Sequence, residues 1–343
     1  MTVHALATQP HYVAHIAPVW LALNPEERGT FCAMGPACYT EALRLGVPAA
    51  ELRRTRNMPP ARRHGEPLWI VAGYYDLDRL GPRRRAILIE HGTGQTYIGN
   101  RRPENYPGGP GRGRVALFLC PNQRVADLNA RAYPRAWVSV VGCPHLEDLR
   151  RYRELHAPYR KQQPVVTFHF DAADDVAPEA RSAWSHYRDV MPALVRRTGL
   201  AGHAHPRCWS TLGPWWESIG ATAIEHQDEA LASASVLIAD NTSCLYQAAA
   251  LGIPVVVLNA PWYRRDVQHG LRFWEHASVG LQVNEPGDLF DAIAATLAVD
   301  PLREHREAIS AELYPQTDGG GSAAAAAVIR KITAGTITPR SLR

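Results

Sequence analysis

Residues 235–259, SVLIADNTSCLYQAAALGIPVVVLN, contain a complete strand–helix–strand pattern. The apolar run that ends at Asp240 predicts a buried strand, and residues 242–252 predict a helix with Gly252 as its C-cap. Pro254 opens a second apolar run, which predicts the next strand. A helix that connects two buried strands joins them in parallel, so this stretch predicts an α/β fold with a doubly wound parallel sheet.

The same alternation continues on both sides of that stretch. Short apolar runs and helical patterns succeed one another from residue 3 onward, and a second series begins at residue 165. The charged residues 144–163 predict a connector between the two series. We therefore expect two Rossmann-like domains, with ligands at the carboxyl ends of their strands. The predicted limits are 1–157 for the first domain, 163–316 for the second, 317–333 for a C-terminal helix and 334–343 for a tail.

The composition excludes several classes of protein. The chain has 343 residues, of which 46% are hydrophobic and 20% are charged. This content suits buried cores and excludes a disordered chain. No apolar run approaches about 18 residues, so we predict no transmembrane helix, and the first residues lack the pattern of a signal peptide. The 6 cysteines form no CxxC pair, which argues against a zinc site. Because no signal peptide is predicted, we expect reduced thiols in a cytoplasmic protein.

Arginine supplies nearly all of the positive charge in a chain whose formal net charge is +4. The lysines are Lys161 and Lys331, and the chain has no P-loop motif. A bound phosphate would therefore be held by arginine, histidine, hydroxyl and backbone N–H groups. The basic runs within residues 53–63 and at 83–85 are either solvated surface or a patch for a polyanionic acceptor, nucleic acid or the inner membrane face.

Three polar residues in succession, Asn241, Thr242 and Ser243, lie where the predicted strand meets the predicted helix. Each could cap the helix by accepting a hydrogen bond from a backbone N–H group. Three together at a strand–helix junction of an α/β sheet also predict a phosphate site, because hydroxyl and backbone N–H groups both donate to phosphate oxygens.

A second candidate is the sequence His203-Ala204-His205-Pro206-Arg207 at the end of a predicted strand. Pro206 ends the regular structure and places His205 at the rim of the sheet. The imidazole of His205 can donate a hydrogen bond to a phosphate oxygen or a proton to a leaving phosphate. Arg207 adds a positive charge beside it. A surface or core histidine is the alternative interpretation.

A third candidate is the sequence Glu90-His91-Gly92-Thr93-Gly94 after the predicted strand AILI. Gly92 and Gly94 permit a tight turn and the close approach of a ligand. His91 could be the general base toward an acceptor hydroxyl, with Glu90 either orienting it or competing for that role. An ordinary turn is the alternative. The aspartates at 171, 174 and 175 have irregular spacing that favours a solvated loop, so no metal is expected, and His145 and His169 receive no role.

Together these motifs resemble the CDP-glycerol glycerophosphotransferase family. The paired α/β halves, the His-Gly turn at His91, the His-Pro step at His205 and the Asn-Thr-Ser helix start carry the likeness. The segment TDGGGSAAAAAV (317–328) is similar to the start of the family's terminal helix. The resemblance implies a GT-B fold with an interdomain cleft, and an enzyme that extends teichoic-acid-like cell-surface polymers.

The resemblance also implies roles for individual residues. His91 would be the base or acceptor-site histidine, His205 would contact the donor pyrophosphate, and Thr242 and Ser243 would hold phosphate oxygens. Gln247 lies in the region where many sugar-nucleotide enzymes of this fold have a glutamate for the ribose. The sequence departs from the family pattern at Glu90, where the family usually has tryptophan, and in the absence of a lysine near the His-Gly turn.

The leading hypothesis is a metal-independent GT-B transferase. It would move a sugar or glycerol phosphate from a CDP- or UDP-linked donor to an acceptor hydroxyl, with no further cofactor. A nucleotide-sugar 2-epimerase is the first alternative, and it would need cleft carboxylates, for which Glu90 and Asp240 stand out. A non-catalytic module that binds nucleotide or polymer is the second. A transferase acting on modified DNA bases is the third, because the arginine runs suit nucleic acid.

Overall fold

The computed structural model describes residues 2–58, 67–90, 111–171, 181–263, 277–315 and 320–335. Every strand pairing in these ranges is parallel. The strands are β1 (Val3–Ala7), β2 (Arg28–Met34), β3 (Leu52–Thr55), β4 (Leu68–Val71), β5 (Arg85–Ile89), β6 (Val115–Cys120), β7 (Trp137–Val140), β8 (Gln163–Phe168), β9 (Ala201–Ala204), β10 (Thr222–Ala223), β11 (Ala234–Ala239), β12 (Val255–Leu258) and β13 (Leu281–Val283).

Helices alternate with the strands, as the sequence pattern predicts. They are α1 (Pro10–Leu21), α2 (Gly35–Arg44), α3 (Tyr74–Leu80), α4 (Gln123–Ala132), α5 (Pro144–His156), α6 (Trp184–Tyr187), α7 (Met191–Thr198), α8 (Trp209–Ser218), α9 (Gln227–Ser233), α10 (Cys244–Ala250), α11 (Leu289–Ala298), α12 (Arg303–Leu313) and α13 (Gly321–Thr333).

The chain folds as two compact units. Unit 1 comprises the described residues up to Glu147 and again from Tyr314, and unit 2 runs from Asp148 to Leu313. These divisions replace the predicted limits at 157, 163 and 316. The difference has two causes: the predicted connector forms helix α5, which continues into unit 2, and α13 packs against α1 inside unit 1.

Unit 1 is built on a seven-stranded sheet in the order β3-β2-β1-β4-β5-β6-β7. Successive side chains point to opposite faces, so Ile87 and Ile89 of β5 join one buried cluster and Ala86 and Leu88 join another. The first cluster includes side chains of α1, α2 and α13, and the second includes side chains of α3 and α4. Helices therefore cover both faces of the sheet, which explains why its central strands are continuous apolar runs.

Unit 2 is built on a six-stranded sheet in the order β10-β9-β8-β11-β12-β13. This is the Rossmann order, in which the chain starts at the central strand β8, winds outward through β9 and β10, and then returns to continue from β11. The order reverses between β8 and β11, so the carboxyl ends of these two strands define the switch point where doubly wound sheets bind ligands. Unit 1 has the same reversal between β1 and β4.

The two basic stretches lie in different surroundings. Arg53 and Arg54 are exposed on β3, which is the edge strand of its sheet. Arg84 is buried, with its guanidinium carbon 5.6 Å from the Trp69 ring centroid and a 2.9 Å hydrogen bond to the Leu80 carbonyl. The run at 83–85 therefore contributes in part to the packing of unit 1.

Candidate functional site

The carboxyl ends of β8 and β11 meet at the switch point of unit 2. His169 directly follows β8, and Asp240 directly follows β11. The Asp240 side chain is fully buried and accepts hydrogen bonds from the backbone N–H of His169 at 2.8 Å and of Ala183 at 2.9 Å. It also accepts from the Ser182 hydroxyl at 2.9 Å. One carboxylate thus links two segments of the chain, at His169 and at 182–183, to the carboxyl edge of this sheet.

Burial raises the pKa of Asp240 from 3.8 to about 6, because desolvation disfavours the charged form more than its hydrogen bonds favour it. Near neutral pH the carboxylate is ionised and faces only donors. Asp240, one of the two carboxylates that an epimerase could use, therefore has its oxygens engaged in holding the loops of the site.

The turn Asn241-Thr242-Ser243 follows Asp240 and precedes α10, which begins at Cys244 rather than at residue 242. The helix starts later than predicted because the Thr242 N–H donates to the Asp240 carbonyl at 2.8 Å, which closes a turn first. The Thr242 hydroxyl accepts from the Cys244 N–H at 3.4 Å, while Ser243, at the N-cap position, makes no side-chain capping bond. The proposed phosphate contacts of this turn stay a prediction.

His205 lies at the end of β9, next to β8 in the sheet. Its backbone N–H donates to the Phe168 carbonyl at 3.0 Å, and its Nδ1 accepts from the Arg207 N–H at 3.2 Å. In the neutral ring the proton is therefore on Nε2, which makes His205 a hydrogen-bond donor at that atom. Arg207 is exposed, and its guanidinium carbon lies 4.2 Å from the centroid of the Phe170 ring.

His169 is the residue that the sequence analysis missed. Its ring centroid lies 5.2 Å from that of His205, and its backbone bond to Asp240 ties it to the turn at 241–243. Burial lowers the pKa of His169 to about 4, so the ring is neutral at pH 7. Nδ1 lies 2.8 Å from the Phe170 carbonyl, an acceptor, so the proton sits on Nδ1 and Nε2 is the accepting atom.

His203 and His205 have different environments. His203 lies within β9, buried, with its Nδ1 2.7 Å from the Thr167 hydroxyl, and burial lowers its pKa to about 4. It belongs to the interior of the sheet, whereas His205 lies beyond the last residue of the strand. Of the two histidines in the sequence motif, only His205 lies at the ligand-binding edge.

Gln247 lies one turn into α10 and is buried. Its side-chain oxygen accepts a hydrogen bond from the side-chain amide of Gln227, the first residue of α9. This contact links the two helices that flank β11. The hydrogen bond from Gln247 to a hydroxyl group of the nucleotide donor stays a prediction.

The candidate residues of unit 1 centre on Glu90, which follows β5. Glu90 is buried, forms an ion pair with Arg112 and accepts a 2.8 Å hydrogen bond from the side-chain amide of Asn129 on α4. The Arg112 guanidinium carbon also lies 5.4 Å from the Phe118 ring centroid. The carboxylate of Glu90 is thus held by two partners. His91, Gly92 and Gly94 lie outside the described residues.

Two general features of the described chain bear on the type of site. Across the described ranges, no group of three or more His, Cys, Asp and Glu side chains is arranged to hold a metal ion. None of the helices in the same ranges combines the length and the apolar character that a membrane span requires.

No protein-family model and no curated protein matches the chain. Solved structures do match it. The wall teichoic acid polymerase TagF has a TM-score of 0.61 at 13% identity, covering 98% of this chain and 90% of that one. S. aureus MnaA, solved with UDP, has a TM-score of 0.63 at 12% identity, covering 98% of each chain.

A third similar structure is the UDP-GlcNAc 2-epimerase of Neisseria meningitidis bound to UDP-GlcNAc. It has a TM-score of 0.56 at 12% identity, and the match covers 97% of this chain and all of the other. At such identities the likeness concerns the fold. The chain therefore has the GT-B fold, with two Rossmann-like units of parallel sheet and covering helices.

Proposed function

We propose that this chain is a GT-B transferase that moves a sugar or glycerol phosphate from a nucleotide-diphosphate donor to an acceptor hydroxyl. The donor diphosphate would bind at the switch point of unit 2. The observation that carries the proposal is that His205 and the turn at 241–243 lie at the ends of β9 and β11, on either side of β8, with the His169 ring beside His205.

The chemistry of these groups suits a diphosphate. A diphosphate offers only acceptor oxygens, and His205 presents an N–H at Nε2. Thr242 and Ser243 add hydroxyl groups, and the exposed guanidinium of Arg207 adds a positive charge beside the histidine pair. These donors would stabilise the charge that grows on the leaving nucleotide phosphate, without calling on a metal ion.

In the proposed reaction, an acceptor oxygen forms the new bond and the bond to the leaving nucleotide phosphate breaks. His91 takes the proton of the acceptor hydroxyl, and His205 hydrogen-bonds or protonates the leaving phosphate. Glu90 would not compete with His91 as the base, because Arg112 and Asn129 engage its carboxylate.

The donor would be a nucleotide-activated small molecule. The similar structures include complexes with UDP and with UDP-GlcNAc, and a TagF variant soaked with CDPG. CDP-linked and UDP-linked donors are therefore the first to test.

The test is a thermal-shift series with CDP-, UDP-, GDP- and dTDP-linked donors. We expect one base to stabilise the protein selectively, by about 2.7 kcal/mol when the donor is present at 100 times its Kd. His205→Ala should lose most of that stabilisation. His305→Ala should keep it, since His305 is an exposed residue of the same unit bonded to Ser278. Equal stabilisation of wild type and His205→Ala, or none by any donor, would contradict the proposal.

A nucleotide-sugar 2-epimerase is the second candidate, since three of the similar structures carry that activity in their names. It differs in one measurable respect, because an epimerase converts the sugar nucleotide without an acceptor. Product analysis after incubation with the donor alone separates the two. Epimerised donor in the absence of acceptor would replace the transferase proposal, and acceptor-dependent release of the nucleotide would support it.

A further inference from the structure

A buried carboxylate in unit 1 has no role in the function proposed above. Asp76 lies in α3, and its side chain is fully buried. Its Oδ1 accepts hydrogen bonds from the Thr8 N–H at 2.8 Å and from the Thr8 hydroxyl at 2.6 Å. Its Oδ2 accepts from the Ala72 N–H at 3.0 Å.

These contacts span the switch point of the first sheet. Thr8 directly follows β1, Ala72 directly follows β4, and the two strands are neighbours where the strand order reverses. Asp76 thus joins the first turn after one strand to the first turn after the other. In a doubly wound sheet these are the turns that border the ligand crevice.

Unit 2 has the same construction. Asp240 holds the residue after β8 and the loop at 182–183 by accepting from two backbone N–H groups and one hydroxyl. Asp76 also accepts from two backbone N–H groups and one hydroxyl. Both carboxylates are fully buried and both follow the second strand of a switch-point pair. Each sheet therefore carries a buried carboxylate after the second strand of its switch-point pair, Asp240 directly after β11 and Asp76 in α3 after β4.

We propose that Asp76 is a positioning residue for the ligand-binding edge of unit 1. Its ionised carboxylate fixes the turn at Thr8–Pro10 against the turn at Ala72–Gly73, as Asp240 fixes the loops of unit 2. Because the acceptor side is assigned to unit 1, the effect of Asp76 on turnover rests on the proposed function. Its effect on the two turns does not.

The observed contacts favour the ionised form. The Thr8 and Ala72 N–H groups can only donate, one to each carboxylate oxygen, so a proton on either oxygen weakens the bond from that N–H group. The Tyr12 ring packs closely over Gly73, since a Cβ atom built on Gly73 would lie 2.2 Å from Cζ of Tyr12. The turn at Ala72–Gly73 therefore has little room to shift. Loss of the proton-free carboxylate should therefore release the Thr8 and Ala72 turns from each other.

The ionisation of Asp76 falls near neutral pH. Burial raises its pKa from 3.8 to about 7, against the lowering effect of the hydrogen bonds from Thr8 and Ala72. Asp76 interacts electrostatically with the Cys38 thiol of α2. Burial and the charge of Asp76 raise the pKa of that thiol to about 12. That thiol stays neutral across the range in which Asp76 titrates.

The first measurement needs no substrate. The amide proton and nitrogen shifts of Thr8 and Ala72 should titrate with a midpoint near pH 7 in the wild type. The titration should disappear in Asp76→Asn and persist in Asp78→Asn, a matched charge removal at an exposed position of the same helix. If Asp76→Asn does not fold, Thr8→Val is the substitute, because it removes only the hydrogen bond from the Thr8 hydroxyl to Asp76. Thr8→Val should alter the midpoint of the Ala72 titration.

The second measurement is kinetic. With the donor that stabilises unit 2, Asp76→Asn should lower kcat/KM for the acceptor by at least tenfold near pH 8, and the wild-type loss of activity below pH 7 should be absent. The thermal shift given by the donor alone should not change. Asp78→Asn should behave as the wild type in each respect.

Two results would overturn the inference. One is a folded Asp76→Asn protein with the kinetics and pH profile of the wild type. The other is the absence of any titration of the Thr8 and Ala72 amides between pH 5 and 9. A wild type that transfers nothing to any acceptor would count against the proposed function alone, because the amide titration then still decides whether Asp76 holds the two turns.

Discussion

Arg112 offers the sharpest test of how unit 1 holds Glu90. Replacing it with methionine keeps a long apolar side chain over the Phe118 ring and removes the charge that pairs with Glu90. Both side chains of the pair are nearly inaccessible, with 9% of Arg112 and 8% of Glu90 exposed. The Glu90 carboxylate would then stay buried and keep its hydrogen bond from the Asn129 amide.

The expected loss is large because the remaining charge cannot reach water. Removing one partner of a buried ion pair costs about 3–5 kcal/mol, whereas replacing both partners by neutral groups is often close to neutral. With a urea dependence of about 2 kcal/mol per molar, that loss moves the unfolding midpoint of unit 1 down by about 1.5–2.5 M. Glu90→Gln alone should cost a similar amount, because it leaves the Arg112 guanidinium unpaired.

The assay is a double-mutant cycle in urea at pH 7, read from the transition that reports on unit 1. The double variant Arg112→Met with Glu90→Gln should be at least about 2 kcal/mol more stable than the sum of the single effects predicts. Arg83→Met, at an exposed arginine of the same unit, should change stability by less than about 0.5 kcal/mol. Single variants as stable as Arg83→Met, or strictly additive effects, would refute the reasoning.

Two further changes test unit 2. Gly202→Ala should destabilise it by about 3 kcal/mol or more, since the new Cβ would lie 1.9 Å from Cδ2 of Trp216. Gly287→Ala is the control, because no atom lies within 4 Å of a Cβ built there. Equal thermal midpoints for the two variants would contradict the packing. Asp240→Asn should change the pH dependence of unfolding. Because the native pKa of Asp240 is raised to about 6, wild-type stability falls as the pH rises from about 4 through about 6. The variant has no carboxyl group to ionise, so it should gain up to about 3 kcal/mol relative to the wild type over that range. A difference that does not vary with pH would contradict it.

The strand–helix–strand pattern at 235–259 could be predicted because it depends on local patterning. The apolar runs of β11 and β12 fill both faces of a buried parallel sheet, and Gly252 ends the intervening helix with a φ of 72°. The predicted start of α10 was wrong by two residues. The Thr242 N–H donates to the Asp240 carbonyl, so residues 240–242 form a turn before the helix begins.

Two charged elements were among those that the sequence analysis missed. The strand β3 reads LRRT and was not predicted, because an edge strand can expose its arginines to water. Helix α5 was predicted as a connector for its charges. In the structure Arg150 and Arg153 of this helix donate to main-chain carbonyls of Ala250 and Ala234, both at 3.3 Å, so the charged face is part of the packing of unit 2.

The candidate site was predicted in part. His205 and the turn at 241–243 could be chosen because polar residues directly follow apolar runs. His169 also follows such a run, but the sequence does not show that β8 lies between β9 and β11. That strand order, a long-range property, brings the ring of His169 to His205 and its backbone to Asp240.

The route of the chain through its two units has a consequence for biosynthesis. Helix α13 shares a buried cluster with Val13 and Ile16 of α1 through Ala325 and Ile329, yet the whole of unit 2 is translated between them. Residues 148–313 of unit 2 are therefore translated while the α1 surface under α13 is still uncovered. Unit 1 can reach its final packing only after the last residue of unit 2 has been translated.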